Sequence, residues 1–286
     1  MSRIRPPLEI PMSNVLDIAV LLTCYNRRET TLRCLGSLFS AACPDHWRLH
    51  VWLVDDGSKD GTADAVREGF PQVRVLQGTG SLYWCGGMRS AWAAAECSHP
   101  DAFLWLNDDV VLHPDALAVF ASHLRQNAEA IWIASCKSPS TGGHSYGGRV
   151  REGCHPARSR ALLPDASAPL VCDTFQGNLV LVPQAVVSRI GRLTDFQHAM
   201  ADTDYGLRAT RAGIPCMLLP GYVANCESNP NDGKHHDASV PRLTRLKSMM
   251  GLKGLPPRDW WKFCRIHGGL LAPAYFLSPY LRVLFR

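Results

Sequence analysis

Residues 49–61 read LHVWLVDDGSKDG, and this stretch decides the fold class. An apolar run rich in β-formers ends at Asp55 and Asp56, and a Gly-Ser turn follows them. Residues 62–70, TADAVREGF, then space their apolar side chains as a helix does. A buried strand that ends in a turn and leads into a helix is typical of a parallel α/β sheet.

The same strand-then-helix unit recurs along the chain. We therefore expect a Rossmann-like α/β fold: a mostly parallel central sheet flanked by helices, with ligands bound beyond the carboxyl ends of its strands. The expected strands are DIAVLLTCYNR (17–27), VRVLQG (73–78), AFLWLNDDVVL (102–112), and the first parts of VCDTFQGNLVLVPQAVVSRIG (171–191) and the last part of MADTDYGLRATRAGIPCMLLPG (200–221).

Two segments depart from this pattern. LYWCGGM (82–88) crowds aromatic residues and glycines together just before a helix that we expect to begin at Met88. Glycines let the chain pass close to a ligand and an aromatic ring can lie against a sugar, although a core role for Trp84 is the alternative. Residues 137–169, rich in Gly, Ser, Pro and Arg, predict a hairpin with mobile connections over the sheet.

Composition limits the class and the compartment. The chain has 286 residues, 46% of them hydrophobic, which is enough for a full core. Its eleven cysteines are scattered through apolar runs, which indicates a reducing compartment. Neither a secretory signal nor a stretch of transmembrane length is visible. We expect a cytoplasmic protein.

The C-terminal segment differs in charge from the rest. Residues 233–286 carry ten Lys and Arg against two Asp, whereas the whole chain has a net charge of +5. We expect a sheet domain over residues 1–232 and a basic, aromatic-rich helical appendage over residues 233–286. Its composition suits a helix on an anionic membrane surface, and packing on the sheet domain or a dimer contact is the alternative. No nucleic-acid recognition motif accompanies the basic residues.

Acidic residues cluster where three segments end or begin. The Asp55-Asp56 pair can bind a base or ribose, or merely cap a helix. Asn107-Asp108-Asp109 offers oxygen ligands for a hard divalent cation, or turn chemistry. In the third cluster Asp204 can cap its helix, which leaves Asp202 as a candidate general base.

Taken in order, these motifs resemble the inverting glycosyltransferases of family 2, which have the GT-A fold. The resemblance covers about residues 17–228, and rhamnosyl- and galactofuranosyltransferases are similar chains. It rests on TCYNRRETTLRCLGSL, VDDGSKDGTADAV, LNDDVVLHPDAL, GNLVLVPQAVVSRIG and DTDYGLRATRAGIP.

The resemblance implies roles for individual residues. Asp202 matches the catalytic base, and the cofactor would be Mg²⁺ or Mn²⁺. The nucleotide would be bound by Thr23, Tyr25, Arg27, Asp56 and Asp108, the metal by Asp109 and Asn107, and the donor sugar or acceptor by Trp84, Gly86, Gly87, Arg89, Gln176, Gly177, Asn178 and Asp204.

Two positions depart from the family pattern. Asn107 stands where the family has the first Asp of its Asp-x-Asp motif, which removes one charge from the metal site. Cys226 stands near the place of a metal-binding histidine, and thiolate is a poor ligand for Mg²⁺. We therefore expect Cys226 to be structural, with His235 or His236 as replacements.

The implied reaction moves a sugar from a UDP-, dTDP- or GDP-linked donor to a glycan or lipid-linked glycan, in bacterial polysaccharide or O-antigen synthesis. Such an acceptor would bring the enzyme to the inner face of the cell membrane. Two alternatives stay open: a catalytically silent sugar- or nucleotide-binding protein, and a nucleotidyltransferase, although TCYNRRE lacks the glycine-rich loop expected of the latter.

Overall fold

The structure is a computed structural model that describes residues 15–228, 239–252 and 254–285. A short 3-10 helix, Gly269–Leu271, precedes the last helix. In chain order the other elements are β1 (Leu16–Cys24), α1 (Arg28–Ser40), β2 (Trp47–Asp55), α2 (Thr62–Gly69), β3 (Val73–Gln77), α3 (Tyr83–Glu96), β4 (Ala102–Leu106), β5 (Val111–Leu112), α4 (Ala116–Gln126), β6 (Ile131–Ile133), β7 (Cys136–Lys137), β8 (His144–Tyr146), β9 (Gly148–Arg151), β10 (Ser159–Ala161), β11 (Leu170–Cys172), β12 (Thr174–Phe175), β13 (Leu179–Pro183), α5 (Gln184–Ile190), α6 (Ala201–Arg211), β14 (Cys216–Leu218), β15 (Ala224–Asn225), α7 (Arg242–Met250), α8 (Pro257–His267) and α9 (Ala272–Phe285).

An eight-stranded sheet carries the fold. Its strands lie in the order β11-β14-β6-β13-β4-β1-β2-β3. β1 is parallel to β2 and β4, β2 is parallel to β3, and β13 runs antiparallel between β4 and β6. Cys24 pairs with Asp55, so β1 and β2 end side by side. The expected α/β fold with a mostly parallel central sheet is confirmed.

Two hydrophobic clusters cover the two faces of this sheet, because side chains of a strand alternate between faces. Val20 and Leu22 of β1 pack in one cluster with side chains of α1 and α4. Ala19 and Leu21 pack in the other with side chains of α3, α6 and α8. Burial on both faces explains why β1 reads as a continuous apolar run.

The LYWCGGM segment forms the first turns of α3. The helix begins at Tyr83, so the expected start at Met88 is wrong. The reason is a cap from outside the segment: Asp56 Oδ2 accepts the N–H groups of Leu82 and Tyr83 at 2.8 and 2.9 Å. No local cap signal announces such a start.

Two small sheets accompany the large one, and one of them contains the expected hairpin. The expected hairpin is confirmed, since β9 and β10 pair antiparallel and β12 pairs with β9 on its other side. The other small sheet has four strands in the order β5-β15-β7-β8, so it joins short strands from distant parts of the chain. The hairpin is therefore anchored to the strand that precedes Gln176.

The C-terminal helices join the sheet domain through α8. Trp260, Phe263 and Cys264 are buried in the second cluster, so the apolar face of α8 packs on the domain. The expected boundary between residues 232 and 233 falls in the range 229–238, outside the described residues. Within the described ranges, no helix is both long and apolar enough to cross a membrane.

Candidate active site

The carboxyl ends of β1, β2 and β4 open onto one cavity of about 630 Å³. This is the edge at which α/β sheets bind ligands. The residues that line it are Thr23, Cys24, Tyr25, Arg27, Asp56, Tyr83, Trp84, Asn107, Asp108, Asp109, Gly177, Asn178, His198, Ala199, Met200 and Asp202. The three acidic clusters found in the sequence therefore meet at one place.

Asp56 lines the cavity and also holds the loop before α3. Its Oδ1 accepts the N–H of Gly80 at 2.8 Å, and its Oδ2 accepts those of Leu82 and Tyr83. A carboxylate offers about four acceptor positions. Three are used by the loop, which leaves one for a donor on a ligand.

Arg27 connects the end of β1 to the acidic cluster after β4. Its two terminal nitrogens donate to Asp108 Oδ1 at 2.9 Å and to Asp109 Oδ2 at 3.0 Å. Burial raises the pKa of Asp108 to about 7, although the Arg27 charge opposes the shift. Asp108 Oδ2 has no hydrogen-bond partner among the described residues. The Arg27 ion pair and the neighbouring Thr31 hydroxyl together oppose the effect of burial on the pKa of this carboxyl.

The Trp84 side chain contacts both Asn107, at the end of β4, and Gly177, before β13. Its indole Nε1 donates to Asn107 Oδ1 at 2.7 Å. A Cβ added at Gly177 would lie 2.9 Å from the Trp84 ring and 3.2 Å from the Cβ of Asp202. Only glycine at position 177 thus lets the indole and the Asp202 side chain approach the same peptide.

Asp202 lies in the first turn of α6, and two backbone groups orient its carboxylate. Oδ2 accepts the N–H of Gly177 at 3.0 Å, and Oδ1 accepts the N–H of Thr203 at 2.7 Å. Burial raises the pKa of Asp202, and these hydrogen bonds oppose the shift only in part. A cavity carboxylate with a raised pKa is typical of a general base.

Asp204 lies on the other side of the same helix turn and is fully buried. Its carboxylate accepts from Thr194 Oγ1 at 2.6 Å, Arg208 Nε at 2.9 Å and His267 Nε2 at 2.8 Å. Burial alone would raise the pKa of Asp204, but the His267 and Thr194 hydrogen bonds and the Arg208 charge outweigh it and lower the pKa. Asp204 therefore stays charged inside a network of partners.

Five expected donor or acceptor residues lie outside the cavity lining as the described residues define it: Gly86, Gly87, Arg89, Gln176 and Asp204. A Cβ at Gly86 would face Leu82 at 3.2 Å, so this face of α3 points at its own first turn. Arg89 pairs with Asp195 at 2.9 Å. The backbone N–H of Gln176 donates to the carbonyl oxygen of Gly147, between β8 and β9, at 3.1 Å.

The acidic cluster offers the donor chemistry that Mg²⁺ or Mn²⁺ requires. Asp108 and Asp109 supply carboxylate oxygens, which hard cations prefer. The Cys226 thiol donates to Asp109 Oδ1 at 3.4 Å, and burial raises its pKa, so it stays protonated. Among the described residues, no group of three or more His, Cys, Asp or Glu side chains is arranged to hold an ion. His235 and His236 lie outside the described residues.

Sequence reasoning missed a wall of the cavity made by the loop before α6. His198, Ala199 and Met200 line it, and the loop carries no motif or period. Met200 adopts a φ of 73°, a left-handed conformation that is uncommon for a residue other than glycine. The only sequence signal for a cavity role of these residues was their position directly before Asp202.

Comparison with family models identifies the chain. The model described as Glycosyl transferase family 2 matches residues 19–179, which is more than half of the chain. These residues include most of β1 and all of β2 to β12, and thus the strand ends that carry Thr23, Asp56 and Asp109. A sequence comparison with curated proteins found no match.

Solved structures share the fold at low sequence identity. S. aureus TarS 1-349 has a TM-score of 0.59 at 13% identity, over 94% of this chain and 90% of that one. Mannosyltransferase PcManGT from Pyrobaculum calidifontis, solved with GDP-Man and Mn²⁺, has 0.53 at 19%, over 97% and 78%. GalNAc-T7, solved with UDP, GalNAc and Mn²⁺, has 0.61 at 11%, over 94% of this chain and 55% of that one. The chain is therefore a glycosyltransferase with the GT-A fold, and it belongs to glycosyl transferase family 2.

Proposed function

We propose that this glycosyltransferase moves a sugar from a nucleotide-diphosphate sugar to a hydroxyl of a glycan or lipid-linked glycan, with inversion at the anomeric carbon. One observation carries the proposal. The Asp202 carboxylate and the Asp108-Asp109 pair line the same cavity, so a base and a group of phosphate-side carboxylates face one ligand.

The nucleotide end of the donor is assigned to the strand-end residues. Thr23, Tyr25 and Arg27 line the cavity beyond β1, and Asp56 keeps one acceptor position free beside them. GDP-Man is bound by PcManGT and UDP by TarS in their solved complexes, which supports a nucleotide in this cavity. Because those nucleotides differ, the candidates for this chain are UDP-, dTDP- and GDP-linked sugars.

The metal is assigned to the Asp109 carboxylate, with Asp108 beside it in the cavity lining. When bound, Mg²⁺ or Mn²⁺ offsets the charge that builds on the departing diphosphate. Arg27 holds both carboxylates in place and itself adds positive charge at the phosphate end. Asn107 gives its amide oxygen to Trp84, so we assign it to positioning the indole against the donor sugar.

Asp202 is assigned as the general base. The acceptor hydroxyl gives its proton to the Asp202 carboxylate while its oxygen attacks the anomeric carbon on the face opposite to the diphosphate. The bonds from Gly177 and Thr203 keep the carboxylate oriented for this transfer. A single displacement of this kind inverts the anomeric centre.

A donor panel tests the assignment. UDP-, dTDP- and GDP-sugars are assayed for thermal stabilisation and turnover with and without Mn²⁺, in wild type, Asp202→Asn and Asp109→Ala. Asp64→Asn is the matched control, since this carboxylate is exposed on α2. We expect one donor to stabilise the wild type in a metal-dependent way, Asp109→Ala to lose that response, and Asp202→Asn to keep binding but lose turnover.

The released product separates the alternatives. Glycosyl transfer releases a nucleoside diphosphate, whereas nucleotidyl transfer releases pyrophosphate. Binding without turnover in wild type under any acceptor condition would favour a silent nucleotide-sugar-binding protein.

The C-terminal helices supply the membrane part of the proposal. Trp260, Phe263 and Cys264 of α8 are buried on the domain, but the 3-10 helix and α9 expose Leu270, Leu271, Leu277, Leu281 and Phe285. Exposed basic residues such as Arg282 lie in the same segment. We assign this surface to anionic lipid at the inner face of the cell membrane, where a lipid-linked acceptor for bacterial polysaccharide or O-antigen synthesis would be found.

Vesicle binding tests the membrane assignment. Leu270→Ser combined with Leu277→Ser should reduce sedimentation with anionic vesicles, whereas Leu163→Ser, at an exposed leucine of the sheet domain, should not. Equal binding by the two variants would contradict the assignment, as would equal binding of wild type to neutral and anionic vesicles.

A further inference from the structure

The N-terminal half of helix α8 makes hydrogen bonds to the loop that precedes α6. Asp259 is buried, and its Oδ2 accepts the N–H of Gln197 at 2.7 Å. Lys262, one turn later, donates to the carbonyl oxygen of Asp195 at 2.5 Å. These contacts hold the loop whose next residues, His198 to Met200, line the cavity.

The last residue of α8, His267, is fastened to α6. Its Nε2 lies 2.8 Å from Asp204 Oδ1, and its side chain is 2% exposed. Its Nδ1 lies 3.2 Å from a terminal nitrogen of Arg211, which can only donate. One tautomer satisfies both contacts: Nδ1 accepts from Arg211 and the Nε2–H donates to Asp204.

Asp204 and Asp202 share the first turn of α6. Two residues along a helix differ by about 200° around its axis, so their side chains leave on nearly opposite sides. Asp202 faces the cavity while Asp204 faces α8. A rotation of this turn that moved Asp204 would therefore also move the Asp202 carboxylate.

We propose that His267 is a positioning residue for the transfer reaction: through Asp204 and Arg211 it fixes the rotation of the first turn of α6 and thereby the direction of the Asp202 carboxylate. This inference rests on the proposed function, in which Asp202 is the general base. It makes α8 part of the catalytic machinery, although none of its residues lines the cavity as the described residues define it.

The test compares His267→Leu with His267→Gln in the full chain, using the donor that the panel identifies. Glutamine keeps an N–H that can reach Asp204, whereas leucine keeps only bulk. We expect kcat to fall by about 10- to 100-fold in His267→Leu, as a base displaced by about 1 Å would produce. KM for the donor and the affinity for the nucleoside diphosphate should stay near wild type, and His267→Gln should recover most of the kcat.

Arg211→Ala is a second test of the same role, and it changes an exposed residue in case His267→Leu does not fold. It removes the donor to Nδ1, so kcat should fall with KM unchanged. Arg258→Gln, at an exposed position near the start of α8, is the matched control and should behave as wild type.

The outcomes separate the two proposals. If Asp202→Asn is inactive while both His267 variants and Arg211→Ala turn over as wild type, the positioning role is overturned and the base assignment stands. If the His267 variants lose nucleotide affinity and kcat together, the role is structural and the inference is also overturned. If Asp202→Asn turns over as wild type, the base assignment itself fails.

Discussion

The indole Nε1 of Trp84 donates a hydrogen bond to Asn107 Oδ1 at 2.7 Å. The motif resemblance expects an aspartate in place of Asn107, and a carboxylate there would bring a third charge beside Asp108 and Asp109. The amide instead accepts from an aromatic side chain of α3. The asparagine at position 107 thus links the Trp84 side chain to the end of β4 by a hydrogen bond.

Replacing Trp84 by phenylalanine should test this coupling. Phenylalanine keeps an aromatic ring but leaves Asn107 Oδ1 without its donor, at a cost of about 1 kcal/mol for a lost neutral hydrogen bond. We expect kcat/KM for the donor sugar to fall by roughly fivefold, as about 1 kcal/mol implies. Trp261→Phe, at a partly exposed tryptophan of α8, is the control. A larger loss in the control than in Trp84→Phe would contradict the role of the indole.

The pH profile of turnover should report the raised pKa of Asp202. A protonated carboxyl cannot accept the acceptor proton, so kcat should rise as pH rises through this pKa. The acid limb should therefore lie above the ordinary aspartate value of about 3.9. Because the pKa of Asp108 is also raised, the profile should be repeated in Asp108→Asn. Loss of the limb in that variant would assign it to Asp108.

Asp204 should stabilise the fold in a pH-dependent way. Its pKa is lowered in the folded state, so its contribution is present above the unfolded value of about 3.9 and is lost as pH falls through the folded pKa. Asp204→Asn leaves the partly buried Arg208 without its anionic partner, which should cost about 3 kcal/mol at pH 7. Urea unfolding should show that the difference from wild type shrinks below pH 4. A constant difference across this range would contradict the charge assignment.

Gly87 should tolerate no side chain. A Cβ at this position would clash with the side chain of Thr23 on β1, so Gly87→Ala should lower the free energy of unfolding by about 1–3 kcal/mol. Gly36→Ala is the matched control, because a Cβ on this residue of α1 meets nothing within 4 Å and should be neutral or stabilising by up to about 1 kcal/mol. Equal stability of the two variants in urea would contradict this close approach of α3 to β1.

The sequence predicts those parts of the site that lie at strand ends. The apolar runs of β1 and β2 stop at Thr23-Cys24 and at Asp55-Asp56, and parallel pairing brings both ends to one edge. The start of α3 could not be predicted in this way. Its cap comes from Asp56, and a cap supplied by a distant strand leaves no local signal.

Helical phase explains why Asp204, one of the five expected donor or acceptor residues outside the cavity lining, points away from the cavity. Asp202 was expected as the base and Asp204 as a donor or acceptor residue, but the two side chains leave α6 on nearly opposite sides. The partner that Asp204 finds, His267, is 63 residues away in sequence. Pattern reasoning has no access to a contact between elements this far apart, so the role of α8 could not be read before the structure.

The burial of α8 also bears on how the protein forms during synthesis. The rings of Phe263 and Phe196 have their centroids 6.4 Å apart. The N–H of Gln197 donates to Asp259, which lies 62 residues further along the chain. While that stretch is still inside the ribosome, the apolar surface of α3 and α6 stays uncovered and the loop before α6 lacks its anchor. Nascent chains that stall before α8 would thus expose an apolar surface that chaperones can bind. The enzyme would become able to transfer sugar only after α8 has left the ribosome.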